Sequence, residues 1–146
     1  MEKEAILMNI ALLANILIEV FGQDPAFNRI DKKYEGNEIE MFFPSLGGSL
    51  KFTLVSNRSL FECRAEKPKN PISIITINVK KEKAIKTVSD IIRQPDNLKG
   101  LMFVALKFIM RKLEVKGSLR AAIKFCRCMM IGKNPLYKNK LLREKL

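Results

Sequence analysis

The chain has 146 residues, 47% of them hydrophobic and 29% charged, which excludes a wholly disordered polymer and fits one domain with room for one core. It is basic, with 27 Lys+Arg against 15 Asp+Glu, and it has no histidine, which excludes Ser-His-Asp and Cys-His nucleophile systems and histidine metal sites. Its three cysteines are not a disulfide framework, and Cys126 and Cys128 make a poor metal clip because residues two apart on a helix point away from each other.

The charge is unevenly placed. Residues 1–50 hold 4 basic and 8 acidic residues, residues 51–110 hold 12 and 5, and residues 111–146 hold 11 and 2. A positive field of this kind attracts anionic lipid surfaces or nucleic acid, and its plain alternative is a solvated Lys-rich face. There is no phosphate-loop, dinucleotide or zinc-protease motif. The carboxylate pairs Glu38/Glu40 and Asp90/Asp96 sit in patterns that look solvent-facing. Nothing here points to an enzyme, and no cofactor or metal is expected.

The first element is an apolar helix from Ala5 to Phe21. Glu2 and Glu4 argue against a signal peptide. Seventeen residues also reach only about 25 Å, short of the roughly 30 Å of a hydrocarbon core. Glu2, Asn9, Asn15 and Glu19 share one broad side, which leaves an apolar arc of Ile6, Leu7, Ile10, Leu13, Leu17 and Phe21. That arc predicts packing on a sheet, with dimerisation through residues 5–21 or membrane contact as alternatives. Gly22 and Pro25 end the helix.

Strands follow. Glu38–Phe43 stops at Pro44, and Leu46-Gly-Gly-Ser signals a turn. Leu50, Phe52 and Leu54 alternate with polar residues, Asn57-Arg58 suits a hairpin, and Phe61, Cys63 and Ala65 alternate on the return. The β-branched run Ile72–Val79 puts Ile75, Ile77 and Val79 on one face, while Ile72 and Ile74 predict cover on the other. Ala84, Ile85, Val88, Ile91 and Ile92 have helical spacing up to Pro95, and Asp96 or Asn97 caps the next helix. That helix holds the run LMFVALKFIM (101–110), which reads as buried on most sides or as the wall of an apolar cavity. A short strand, KLEVK, precedes Gly117, where a sharp turn fits, and Ser118, a good N-cap. The last helix sets Leu119, Ala122, Ile123, Cys126, Met129 and Met130 against Arg120, Lys124 and Arg127. Gly132, Asn134 and Pro135 end it before a basic tail.

The block KLEVKGSLRAAIKF (112–125), preceded by PISIITINVKKEKAIKTVSDII (71–92), resembles the sterol-carrier-protein lipid-transfer family, over roughly residues 36–131. That family often has a glycine just before the lysine-rich strand, where this chain has Met110 and Arg111. The resemblance implies an α+β fold, a mostly antiparallel five-stranded sheet covered by helices, with a hydrophobic tunnel between sheet and helices. It implies one domain over 1–146, carrying a lipid: a fatty acid, acyl-CoA, sterol or phospholipid. The residues expected to line the tunnel are Phe52, Leu54, Phe61, Ile75, Ile77, Phe103, Leu106, Met110, Leu119, Ile123, Cys126 and Met130. Arg120, Lys124 and Arg127 are expected to meet a lipid head group or an anionic membrane. The alternatives are an accessory or dimerisation domain and a nucleic-acid binder; against the latter, Phe125 and Tyr137 are poor stacking platforms. Unpaired cysteines and the missing signal peptide favour the cytoplasm, peripheral to membranes.

Overall fold

A computed structural model describes residues 2–21, 34, 36–55, 60–94 and 97–130, without the side chains of 17–21, 55, 60 and 61. In chain order it has α1 (Glu2–Phe21), β1 (Glu38–Phe43), β2 (Gly48–Val55), β3 (Leu60–Arg64), β4 (Ser73–Ile77), α2 (Ala84–Ile92), α3 (Leu98–Ile109), β5 (Leu113–Gly117) and α4 (Leu119–Met129). The stops Gly22 and Pro25, the hairpin pair Asn57-Arg58, Asp96 and the tail from Gly132 lie outside the described residues.

The five strands form one sheet in the order β3-β2-β1-β4-β5. The pairs β1–β2, β2–β3 and β4–β5 are antiparallel. The pair β1–β4 is parallel, so the sheet is mixed, and the fold is α+β. Alternation sets the register. Phe52 lies opposite Ile39 on one side and Cys63 on the other, and Ile75 lies opposite both Met41 and Val115. One face of the sheet is therefore a continuous apolar layer, with Ile39, Phe43, Leu50, Phe52 and Ile77 all buried.

The helices pack on that layer. Phe125 of α4 meets Phe52 with ring centroids 4.7 Å apart and a 59° tilt, a favoured geometry for aromatic pairs. α1 buries Leu7, Ile10, Ala11 and Ala14, a stripe at helical spacing. It comes so close to β2 that a Cβ on Gly48 would lie 2.6 Å from Leu7 Cδ1. Asn15, expected on the polar side of α1, instead faces the sheet. Its Nδ2 donates to the Cys63 carbonyl at 2.9 Å, and its Oδ1 accepts from the Cys63 N–H at 3.1 Å. β3 is an edge strand, and Asn15 satisfies backbone groups that would otherwise offer a pairing edge.

The opposite face is polar, and two expectations fail there. Glu40 is not solvent-facing. It is buried at the centre of β1, where it accepts from Ser49 Oγ at 2.6 Å. Its β2 neighbour Lys51 bridges Glu38 and Glu66. Ile72 and Ile74, expected to be covered, are only half-buried.

The caps follow the sequence. Asn97 accepts from Gly100 N at 3.0 Å to start α3, and Ser118 accepts from Ala121 N at 3.1 Å to start α4. Gly117 has φ +85, and a Cβ there would meet the Ile72 carbonyl oxygen at 2.6 Å, so β5 can turn into α4 only through glycine. α3 ends in a Schellman arrangement: the Arg111 N–H donates to the Phe108 carbonyl and the Lys112 N–H to the Lys107 carbonyl, both at 2.9 Å. Arg111 holds the left-handed position at φ 59, where glycine is the default.

Candidate functional site

α3 lies beside α4, and the space between them is an open apolar groove of about 440 Å³. α3 contributes Leu101, Val104, Ala105 and Phe108, and α4 contributes Leu119, Ala122, Ile123, Cys126 and Met130. Both sets follow from helical periodicity, since residues three, four and seven apart share a face. The volume falls in the roughly 300–1,000 Å³ range of small-molecule sites.

α4 has three faces. Ala121, Ala122, Phe125, Cys128 and Met129 are buried, and Phe125 marks this side as the one against the sheet. Leu119, Ile123, Cys126 and Met130 turn to the groove. Arg120, Lys124 and Arg127 fall between the two, one turn apart from each other beside Ile123. Arg120 and Arg127 are exposed, and Lys124 is half-buried. Cys126 is half-buried along the groove wall. Its apolar surroundings, with the Cys128 thiol as a lesser cause, push its pKa up to about 12, so it acts there as a neutral, polarisable contact.

The site differs from the tunnel expected between sheet and helices. Among the described residues that space holds the packed side chains of the core. Phe52 and Leu54 are core residues under the helices, not groove residues. Ile75 and Ile77 are also core; with Cys126 they line a small void of about 30 Å³. The Phe61 side chain lies outside the described residues; its strand position is opposite Leu54.

Of the expected lining residues, Leu119, Ile123, Cys126 and Met130 come together in the groove, while Phe103, Leu106 and Met110 do not. α3 is not buried on most sides: only Gly100 and Val104 are. Phe103 sits on its flank, with Lys107 Nζ 5.0 Å over the ring. Leu106 and Met110 are 55% and 59% exposed. The residues that sequence reasoning missed, Leu101, Val104, Ala105 and Phe108, stand at positions i, i+3, i+4 and i+7 inside the apolar run. That spacing is the signal that would have found them.

No protein-family model matches the chain, and no curated protein matches it. Among solved structures it is similar to one described as "UbiJ-SCP2 Ubiquinone synthesis protein", with a TM-score of 0.61 and 12% sequence identity, over 86% of this chain and 96% of that one. At that identity the likeness shows the fold: four helices and a mixed five-stranded sheet in the sterol-carrier-protein arrangement. A second similar structure, the inverting sec-alkylsulfatase Pisa1 from Pseudomonas sp., has a TM-score of 0.42 and 12% identity, over 74% of this chain and 16% of that one, and is too distant to carry an argument.

Proposed function

We propose that this chain binds and carries a lipid with an apolar tail, held in the groove between α3 and α4. The observation behind this reading is the groove itself: about 440 Å³ bounded by aliphatic, aromatic and sulfur side chains, on a fold similar to that of a protein whose name joins a sterol-carrier domain to ubiquinone synthesis. Each methylene moved from water into such a space contributes about 0.8 kcal/mol. Ten of them supply about 8 kcal/mol, the free energy of a micromolar Kd before association costs are subtracted. Tail burial alone thus gives useful affinity with loose selectivity, spanning fatty acyl, isoprenoid and sterol ligands. Met130 and Cys126 suit such variety, being soft and adaptable. In this reading Arg120 and Lys124, one turn apart on the flank of α4, meet an anionic head group. In this role the protein carries lipid and performs no chemistry on it.

Native mass spectrometry of the purified protein tests the reading directly, with the expected result a bound lipid of one or a few masses. A fluorescent acyl probe tests the groove. Ile123→Asp places a charge in the groove from a side chain that is 45% exposed, and it should reduce probe affinity at least tenfold. Ala105→Trp should do the same by filling the groove from α3. No lipid in the native spectrum, together with probe affinity unchanged in both variants, rules out the groove as the binding site.

A further inference from the structure

Around this groove lies an apolar surface that carriage alone does not explain. Leu98, Met102, Leu106 and Ile109 of α3 are 74%, 58%, 55% and 75% exposed. They stand at helical spacing in a stripe that runs directly into the groove through Ala105. Across the groove, Leu119 and Ile123 line it and yet are 56% and 45% exposed, so they form its other lip. Soluble proteins rarely leave such a contiguous patch uncovered unless something binds it.

The charges around the patch identify the occupant. α3, its capping residue Arg111 and α4 carry Lys99, Lys107, Arg111, Arg120, Lys124 and Arg127 and no acidic residue. A second copy of the chain would set like charges against each other, and charge complementarity instead favours an anionic surface. α3 has 12 residues, about 18 Å of helix, too short to span a bilayer but suited to lie in its interface.

Arg111 adds an independent observation. It occupies the left-handed cap position of α3, where glycine carries no steric penalty. Its side chain is exposed, directly after Ile109 and Met110. A strained backbone at a surface cation points to a use for that cation.

We propose that the exposed face of α3, with the groove lips Leu119 and Ile123, docks on an anionic lipid bilayer with Arg111 in the basic rim, so that the groove opens onto the membrane. The loading role rests on the lipid-carriage reading; the docking does not.

The chain has no tryptophan, so a single introduced one reports its own surroundings. Leu106→Trp should give a blue-shifted emission with phosphatidylcholine vesicles containing phosphatidylglycerol, quenched by lipids brominated along their tails. Neutral phosphatidylcholine vesicles should give little change. Met8→Trp, on the exposed stripe of α1, should give no shift with either. Arg111→Gly should keep the fold and weaken binding to the anionic vesicles about five-fold, the effect of one basic residue at such a surface. The docking is overturned if Leu106→Trp shows no shift with anionic vesicles, if Met8→Trp shifts in its place, or if Leu106 becomes shielded by dimerisation without lipid. Vesicle binding without acyl-probe binding would remove the groove reading and leave the docking; probe binding without vesicle binding would do the reverse.

Discussion

α1 and α3 are both strongly apolar, differ in the sign of their charges, and have opposite fates. Both are apolar helices with few charges, and both read as core. α1 buries Leu7, Ile10, Ala11 and Ala14 and leaves Met8, Leu12 and Ile16 outside, on a helix whose first turn carries Glu2 and Glu4. α3 buries only Gly100 and Val104. It leaves its outer face bare in the most basic part of the described chain. Hydrophobicity says that a helix wants cover; the neighbouring charges say what kind of cover the exposed part can accept. An acidic helix end is repelled by anionic lipid, whereas a basic surround draws it in.

Mutations can break this comparison. The largest effect should come from Ile10→Ala in α1, which removes a side chain that is 1% exposed. It should cost about 2–5 kcal/mol in a urea titration. Asn15→Ala comes next. It leaves the Cys63 N–H and carbonyl at the sheet edge without their partner, which should cost about 1–3 kcal/mol and raise aggregation measured by light scattering. In α3 the effects should shrink and even change sign. Arg111→Gly should stabilise the protein by about 1 kcal/mol, since it relieves a left-handed residue. Leu106→Ser should change stability by no more than about 0.5 kcal/mol. A large loss from Leu106→Ser would mean that α3 is structural after all.

The strands were legible because alternation is a local signal: Leu50, Phe52 and Leu54 are all buried, as their spacing requires. Gly117 and Ser118 were legible for a similar reason, since each does its work within a few residues. Pairing is not local. Nothing in residues 38–43 or 73–77 says that these strands run parallel. On α4 the pattern showed an apolar side but not its division into two. Leu119, Ile123, Cys126 and Met130 were found, yet Phe125 and Cys128, which help to fill the core, fell outside the apolar set. Periodicity gives the angle between residues on a helix, and only the neighbouring helix decides which angle faces a ligand. Between sheet and helices Phe125 packs against Phe52, whereas the groove opens between α3 and α4.

The contact between Asn15 and Cys63 also sets an order in time. The two residues are 48 positions apart. At ribosomal rates of about 5–20 residues per second, α1 emerges roughly 2–10 s before the strand whose edge it closes. During that interval α1 can meet β1 and β2 but not the edge strand it closes. Once β3 is made, its outer edge stays open until α1 returns to it. A chaperone that holds residues 2–21 until β3 is made would thus leave that sheet edge open for as long as it holds them.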